Sequence, residues 1–277
     1  MSVRSIPASF DPATVAAIDA RLDAVERKEG ATILWAAESG SRAWGFPSPD
    51  SDYDARFIYV RHRDAYLSLW PPRDVIETPL DKILDVNGWD LAKALRLLLK
   101  GNAVVLEWLT SPITYRGNPA FRDAMLALAR RHGNRRGLAL HYLHLGVKQR
   151  DRHMADGGGD VGVKKLFYVL RPAAALRWLR LHPDEIVPPM HLPTLIAEAD
   201  ASVEVREAVA ALIARKATMA EGERGEVPSA LAAFVAEEFE RGAAVESDPR
   251  KSLDAAAKAA ANTLFTALLY QTSARSL

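Results

Sequence analysis

Two apolar runs joined by a short connection rich in glycine and proline constrain this chain more than any other feature. Residues 31–37 centre on Ile33, Leu34 and Trp35, and residues 52–60 are dense in aromatic and β-branched side chains. Both read as strands, with Gly40, Gly45, Pro47 and Pro49 turning the chain between them. Ahead of them, Asp11-Pro12 reads as an N-cap with proline at the first helical position. Val15, Ile18, Leu22 and Val25 then recur at helical spacing, predicting a helix over residues 12–28 that stops at Gly30. Helix, strand, glycine turn, strand is an α/β opening. On the second strand Asp52 and Asp54 are two apart and face one way. Their Cβ atoms then lie roughly 6–7 Å apart, within reach of two divalent ions about 3.5–4 Å apart. Asp50 shares their parity but falls in the turn.

Further along, strands are expected near residues 75–78 and 82–86. A helix over 89–100 carries Leu91, Leu95, Leu98 and Leu99 on one side and ends at Gly101. Residues 104–109 are apolar and suit either type. Ser111-Pro112 and Gly117-Asn118-Pro119 are breakers, so a boundary is expected there, dividing the chain into residues 1–116 and 117–277. Beyond it β-rich runs disappear, and helices are expected over 121–132, 138–155, 163–182, 202–221, 229–241 and 253–272. Residues 156–160 and Pro188-Pro189 read as linkers.

At 277 residues the chain is long enough for two domains. Its 36 Lys and Arg nearly balance 35 Asp and Glu, for a formal charge of +1. That excludes a uniformly basic nucleic-acid coat and leaves room for a local basic groove. With no cysteine there can be no disulfide, thiolate metal site or cysteine nucleophile, and a reducing compartment fits. No basic region followed by an apolar run opens the chain, and no stretch approaches 18 consecutive apolar residues. The expectation is a cytoplasmic protein with no signal peptide and no membrane span.

Two carboxylates need a third to hold two hard cations, because Mg²⁺ takes octahedral oxygen ligands and usually keeps substrate phosphates among them. Asp85 is the expected third, since in Ile83-Leu84-Asp85-Val86 an unpaired buried carboxylate would be costly. Glu77, Asp81 and Asp90 are the alternatives. In the chemistry this suggests, one ion lowers the pKa of an attacking hydroxyl while the other binds a triphosphate, and pyrophosphate leaves in line. Asp85 would accept the hydroxyl proton. Gly40 lets backbone amides approach a phosphate, Ser41 adds a hydroxyl, and Arg42 is close enough to assist. Arg56 shares the parity of the Asp pair and could meet either phosphate or an acid. The glycine run 157–162 is no P-loop, because Val163 stands where its lysine belongs. His141, His144 and His153 have no carboxylate partner and read as ordinary packed or surface histidines.

Gly40-Ser41-Arg42-Ala43-Trp44-Gly45 followed by Ser51-Asp52-Tyr53-Asp54 resembles the signature of the DNA polymerase β-type nucleotidyltransferase superfamily. With Asp85-Val86-Asn87-Gly88-Trp89-Asp90-Leu91 and Glu107-Trp108-Leu109-Thr110-Ser111-Pro112-Ile113, the wording resembles the bacterial RNA repair pathway polymerase-β-like nucleotidyltransferases over roughly residues 30–180. The resemblance implies an α+β fold in which a small mixed sheet with flanking helices precedes a helical domain that closes over the nucleotide. It implies two Mg²⁺ ions, or Mn²⁺, held by Asp52, Asp54 and Asp85, with a nucleoside triphosphate on the Gly40-Ser41 loop. Residues 163–172 also resemble a family block, and Lys164, Tyr168 and Arg171 would share one helix face suited to triphosphate or a nucleic-acid backbone. Lys148 and Arg152 would form a second basic edge. RNA, either tRNA or a broken RNA end, is the acceptor the resemblance favours. Its rivals are AMP transfer to a protein or to a small molecule such as an aminoglycoside, and a nucleotide-binding regulatory or antitoxin-like module without turnover.

Overall fold

The computed structural model describes residues 3–81, 83–154, 161–218, 223–247 and 254–273. In chain order they form β1 (Val3–Ser5), α1 (Pro12–Glu29), β2 (Ala31–Ser39), α2 (Gly40–Trp44), β3 (Tyr53–Arg61), α3 (Arg63–Leu67), β4 (Val75–Glu77), β5 (Leu84–Asp90), α4 (Leu91–Leu99), α5 (Ala103–Thr110) and β6 (Thr114–Gly117). The mainly helical half follows, with α6 (Pro119–His132), α7 (Arg135–His153), β7 (Val161–Gly162), α8 (Val163–Leu181), α9 (Leu192–Glu198), α10 (Val203–Lys216), β8 (Arg224–Gly225), α11 (Ser229–Ala243) and α12 (Ala255–Ser273). The expected linker at residues 156–160 lies outside the described residues, as do Lys82, Leu253 and the end of the helix expected to reach residue 221.

Six strands build a mixed sheet in the order β1-β6-β2-β3-β5-β4, in which only β3 and β5 run parallel. This is the expected α+β architecture. Strand alternation sorts its two faces. Tyr53, Ala55, Phe57 and Tyr59 of β3, with Leu84 and Val86 of β5, pack under Val15, Ile18, Leu22 and Val25 of α1. Ile58 and Val60 face the other way, joining Trp35 and the apolar sides of α4, α5, α7 and α8 in a second cluster. Asp54, Arg56 and Asp85 take the parity of that second face, so the sheet aims them at the helical half.

The helix caps follow local chemistry. Asp11 accepts the amide protons of Ala13 and Thr14 at α1, and Asn102 accepts those of Val104 and Val105 at α5. Residues 104–109, readable as either type, are therefore helical. Asn134 caps α7, which starts before the expected residue 138.

One strand boundary departs from expectation. The strand placed at 82–86 continues to Asp90, and the helix placed at 89 starts at Leu91. Gly88 explains it, because a Cβ there would stand 2.1 Å from Phe57 Cε2. The glycine makes room for a ring on the neighbouring strand and does not mark a turn. The breaker-rich segment around 111–119 contains β6, which lies inside the sheet between β1 and β2. The apolar cluster on the helical side runs without a break from Leu34 and Ile58 through Phe121 to Phe167 and Phe239, across the expected division at 116/117. Helix α12 returns to the sheet half, where Phe265 meets Tyr66 edge-on at 5.1 Å. No helix of the described residues is long and apolar enough to cross a membrane.

Candidate active site

A serine-stapled turn carries the chain from α2 to β3. Ser51 Oγ accepts the Ser41 hydroxyl at 2.9 Å and the Ser48 amide at 2.9 Å, and lies 3.0 Å from Ser48 Oγ. Arg42 braces the same turn. Its guanidinium donates to the carbonyls of Ser51 (2.6 Å) and Asp52 (3.0 Å) and lies 3.9 Å above the Tyr53 ring. The structure thus gives the Ser41 hydroxyl and the Arg42 guanidinium partners within the protein, where sequence reasoning aimed both at phosphate. Farther round the turn, Phe46 stacks on Phe167 of α8 at 4.2 Å, and buried Lys216 of α10 donates to the Phe46 carbonyl. The loop is fastened to both halves of the molecule.

Parallel pairing of β3 with β5 sets Asp54 opposite Asp85. Arg56 Nη2 contacts both carboxylates, at 3.0 Å from Asp54 Oδ1 and 2.6 Å from Asp85 Oδ2. Asn87 Nδ2 donates to Asp85 Oδ1 at 2.5 Å. Of the two fates open to Arg56, pairing with an acid is the one observed. Burial raises the Asp54 pKa above the ordinary carboxylate value. Arg56 and Lys164 oppose that rise, while the charges of Asp85 and Asp52 add to it. The alternatives to Asp85 are occupied elsewhere. Glu77 pairs with Arg73 and Asp81 with Arg21, whereas Asp90 caps α4 and accepts the Tyr66 hydroxyl at the far end of β5.

Asp52 and Asp54 line a cleft of about 400 Å³ between sheet and helices. Gly40, Ser41 and Trp44 form its near wall. Lys164, Tyr168 and Arg171, on one face of α8, form the far wall together with Leu145 and Gln149 of α7. Asp85 stands behind Arg56 and does not line the cleft. Arg171 is buried and committed, donating to Glu107 Oε1 at 2.6 Å and lying 4.3 Å over the Trp44 ring. Tyr142 also donates to Glu107. Lys148 and Arg152, expected as a second basic edge, are exposed on α7 and do not line the cleft.

Sequence reasoning missed Glu38. Its carboxylate accepts the Asp54 amide at 2.8 Å and the Tyr115 hydroxyl, while its carbonyl accepts the Ser111 hydroxyl at 2.7 Å. It is fully buried, and burial pushes its pKa up to about 8 against the two donated hydrogen bonds. The signal was the same one that singled out Asp85, a carboxylate closing an apolar run. Leu145 and Gln149 were also missed.

The donor set suits a hard cation. Asp52, Asp54 and Asp85 offer only carboxylate oxygen, and their charges reinforce one another in a partly buried site that Arg56 and Lys164 only partly offset. Arg56 Nη2, in contact with an oxygen of both Asp54 and Asp85, marks where positive charge is stabilised between them. Among the described residues, no three His, Asp or Glu side chains are gathered closely enough to hold a metal ion. The two cleft carboxylates would therefore need oxygens from a bound triphosphate to complete an ion's shell.

Comparison with known proteins agrees with this arrangement. Residues 15–267 match the family described as RNA repair pathway DNA polymerase beta family. Uncharacterized protein YcgL of Bacillus subtilis (strain 168) is 40% identical over 195 residues, covering 70% of this chain and 74% of that protein.

Proposed function

This chain belongs to the RNA repair pathway DNA polymerase beta family, and from that membership and the cleft we propose metal-dependent nucleotidyl transfer from a nucleoside triphosphate to a hydroxyl of RNA. Membership in a polymerase-beta-like nucleotidyltransferase family supports nucleotidyl transfer in general. The metal and the acceptor are the added steps. One observation supports the reading above all others: the cleft lined by Asp52 and Asp54 is also lined by Gly40, Ser41 and Lys164. A triphosphate needs such a combination, with cation ligands beside backbone that phosphate can approach.

In the proposed reaction an acceptor hydroxyl oxygen bonds to the α-phosphorus, the bond from that phosphorus to the bridging oxygen breaks, and pyrophosphate leaves with the electron pair. Asp52 and Asp54 hold the cation, with Asp85 as the nearest further carboxylate once positive charge moves between it and Asp54. A bound Mg²⁺ or Mn²⁺ lowers the hydroxyl pKa and neutralises triphosphate charge. Lys164 adds fixed positive charge at the carboxylate end, where it acts on both Asp50 and Asp54. Glu38 holds the Asp54 backbone, and the Ser51 staple and Arg42 hold the turn that delivers Asp52.

The test is incubation of the purified chain and Mg²⁺ with labelled nucleoside triphosphates and separate fractions of cellular RNA, protein and metabolites. Label should enter RNA and pyrophosphate should be released, with both lost in Asp52→Ala and Asp54→Ala. Label in protein or metabolites alone overturns the acceptor. Undiminished pyrophosphate release in both variants overturns the site.

A further inference from the structure

We propose that the end of the cleft farthest from the carboxylates is a nucleobase subsite in which Gln149 reads the base edge and sets which nucleoside triphosphate is used. The inference rests on the proposed triphosphate reading and adds to it the recognition of the base.

The polarity of the cleft changes along its length. Lys164 is near enough to Asp50 and Asp54 to act on both electrostatically, which puts its charge at the phosphate end. From Lys164, Tyr168 and Arg171 lie about 6 and 10 Å farther along the α8 axis at 1.5 Å per residue. Arg171 cannot serve phosphate there without leaving Glu107, because its guanidinium is buried in that ion pair and against Trp44. The walls at this end are Trp44, Tyr168 edge-on to it at 6.1 Å, and Leu145 from the facing helix. Flat apolar walls are what a base requires on its two faces, since stacking on aromatic side chains tolerates any base. They bind a base without telling one from another.

Discrimination requires a donor or acceptor aimed at the base edge. Gln149 supplies both. It lies four residues from Leu145 on the same face of α7 and lines the cleft. Its amide makes no hydrogen bond with any described residue, although the residue is half-buried. The other polar groups of the cleft are engaged. The Ser41 hydroxyl is given to Ser51, and Arg56 and Arg171 are in ion pairs. A side-chain amide offers a donor and an acceptor about as far apart as those on a base edge, which makes a bidentate pair possible. A site built around such a pair rejects a base that leaves the amide unmatched.

Binding of ATP, GTP, CTP, UTP and inorganic tripolyphosphate is measured by calorimetry with Mg²⁺ for the wild-type chain, Gln149→Ala and Gln149→Glu. The wild type should separate the four nucleotides by about tenfold or more. Gln149→Ala should bring them to within about twofold while leaving tripolyphosphate affinity unchanged. Gln149→Glu, which only accepts hydrogen bonds, should reorder the preference. A wild type without preference, or a preference that survives both substitutions, overturns the inference and leaves the triphosphate reading standing. A wild-type chain that binds neither nucleotide nor tripolyphosphate overturns that reading and the inference with it.

Discussion

The Asp54 carboxylate lies against the α-carbon of Gly40, so a β-carbon at position 40 would stand 2.1 Å from Asp54 Oδ2 and 2.9 Å from its Cγ. Gly40 also sits in the left-handed region at φ +64°. Loop and carboxylate are therefore one unit, brought together because Ser39 pairs with Asp54 across β2 and β3. Gly40→Ala should displace Asp54 by about an ångström or more and lower turnover about 100-fold, the usual cost of such misplacement. Stability should fall by only about 1–2 kcal/mol, the cost of a non-glycine residue in that conformation. Pyrophosphate release and urea denaturation measured side by side check this. Turnover within twofold of wild type would remove Asp54 from the reaction.

Arg56 neutralises two carboxylates, and its removal should transfer that role to a cation. In Arg56→Gln, Asp54 and Asp85 are left facing each other across the β3–β5 pair without a guanidinium. The variant should lose about 1–3 kcal/mol in EDTA and regain part of that loss in Mg²⁺. Its melting temperature should rise more with millimolar Mg²⁺ than that of the wild type. An equal shift in the two proteins would show that no cation binds between these carboxylates.

The parts of this site that were legible in the sequence depend on short-range periodicity. Asp52 and Asp54 share a face because strands alternate, and Lys164, Tyr168 and Arg171 share one because helices repeat, so both sets could be placed from spacing alone. The Asp85–Arg56 contact depends on β5 pairing parallel to β3 across the intervening α3 and β4, and no local pattern encodes that pairing. Strand β6 was hidden because four residues between breakers carry no readable alternation. Gln149 was hidden because α7 mixes apolar and basic residues around its circumference, leaving no single face to read. Arg42 looked like a phosphate ligand because sequence shows a residue's charge and conceals what already holds it.

Arg171 and Glu107 form a buried ion pair in the cleft wall, joined by Tyr142. Removing one partner strands the other charge away from water, so Glu107→Ala should cost about 3–5 kcal/mol. Replacing both at once, Glu107→Leu with Arg171→Met, should cost less than either single substitution, because no buried charge remains. Denaturant midpoints of the three variants check the order. A double variant as unstable as the sum of the singles would show that the pair contributes through packing alone.

Glu38 should make stability fall as pH rises. Its ordinary carboxyl value is 4.5 and burial lifts it to about 8 in the fold. Below pH 4.5 folded and unfolded chains both hold the proton, and the group is neutral to stability. Between these values the folded chain keeps a proton that the unfolded chain releases, so ∂ΔG/∂pH is negative, at most about 1.4 kcal/mol per pH unit. Above about 8 both states are ionised and the loss is complete. Glu38→Gln keeps an oxygen for the Asp54 amide and has no proton to lose, so its urea midpoint should decline less than that of the wild type between about pH 5.5 and 8. Asp54 and Asp90, whose pKa values burial also raises, contribute the same sign of slope in both proteins, so the difference isolates Glu38. Parallel pH profiles for the two proteins would mean that Glu38 is ionised in the folded chain, with the Tyr115 and Asp54 donors outweighing its burial.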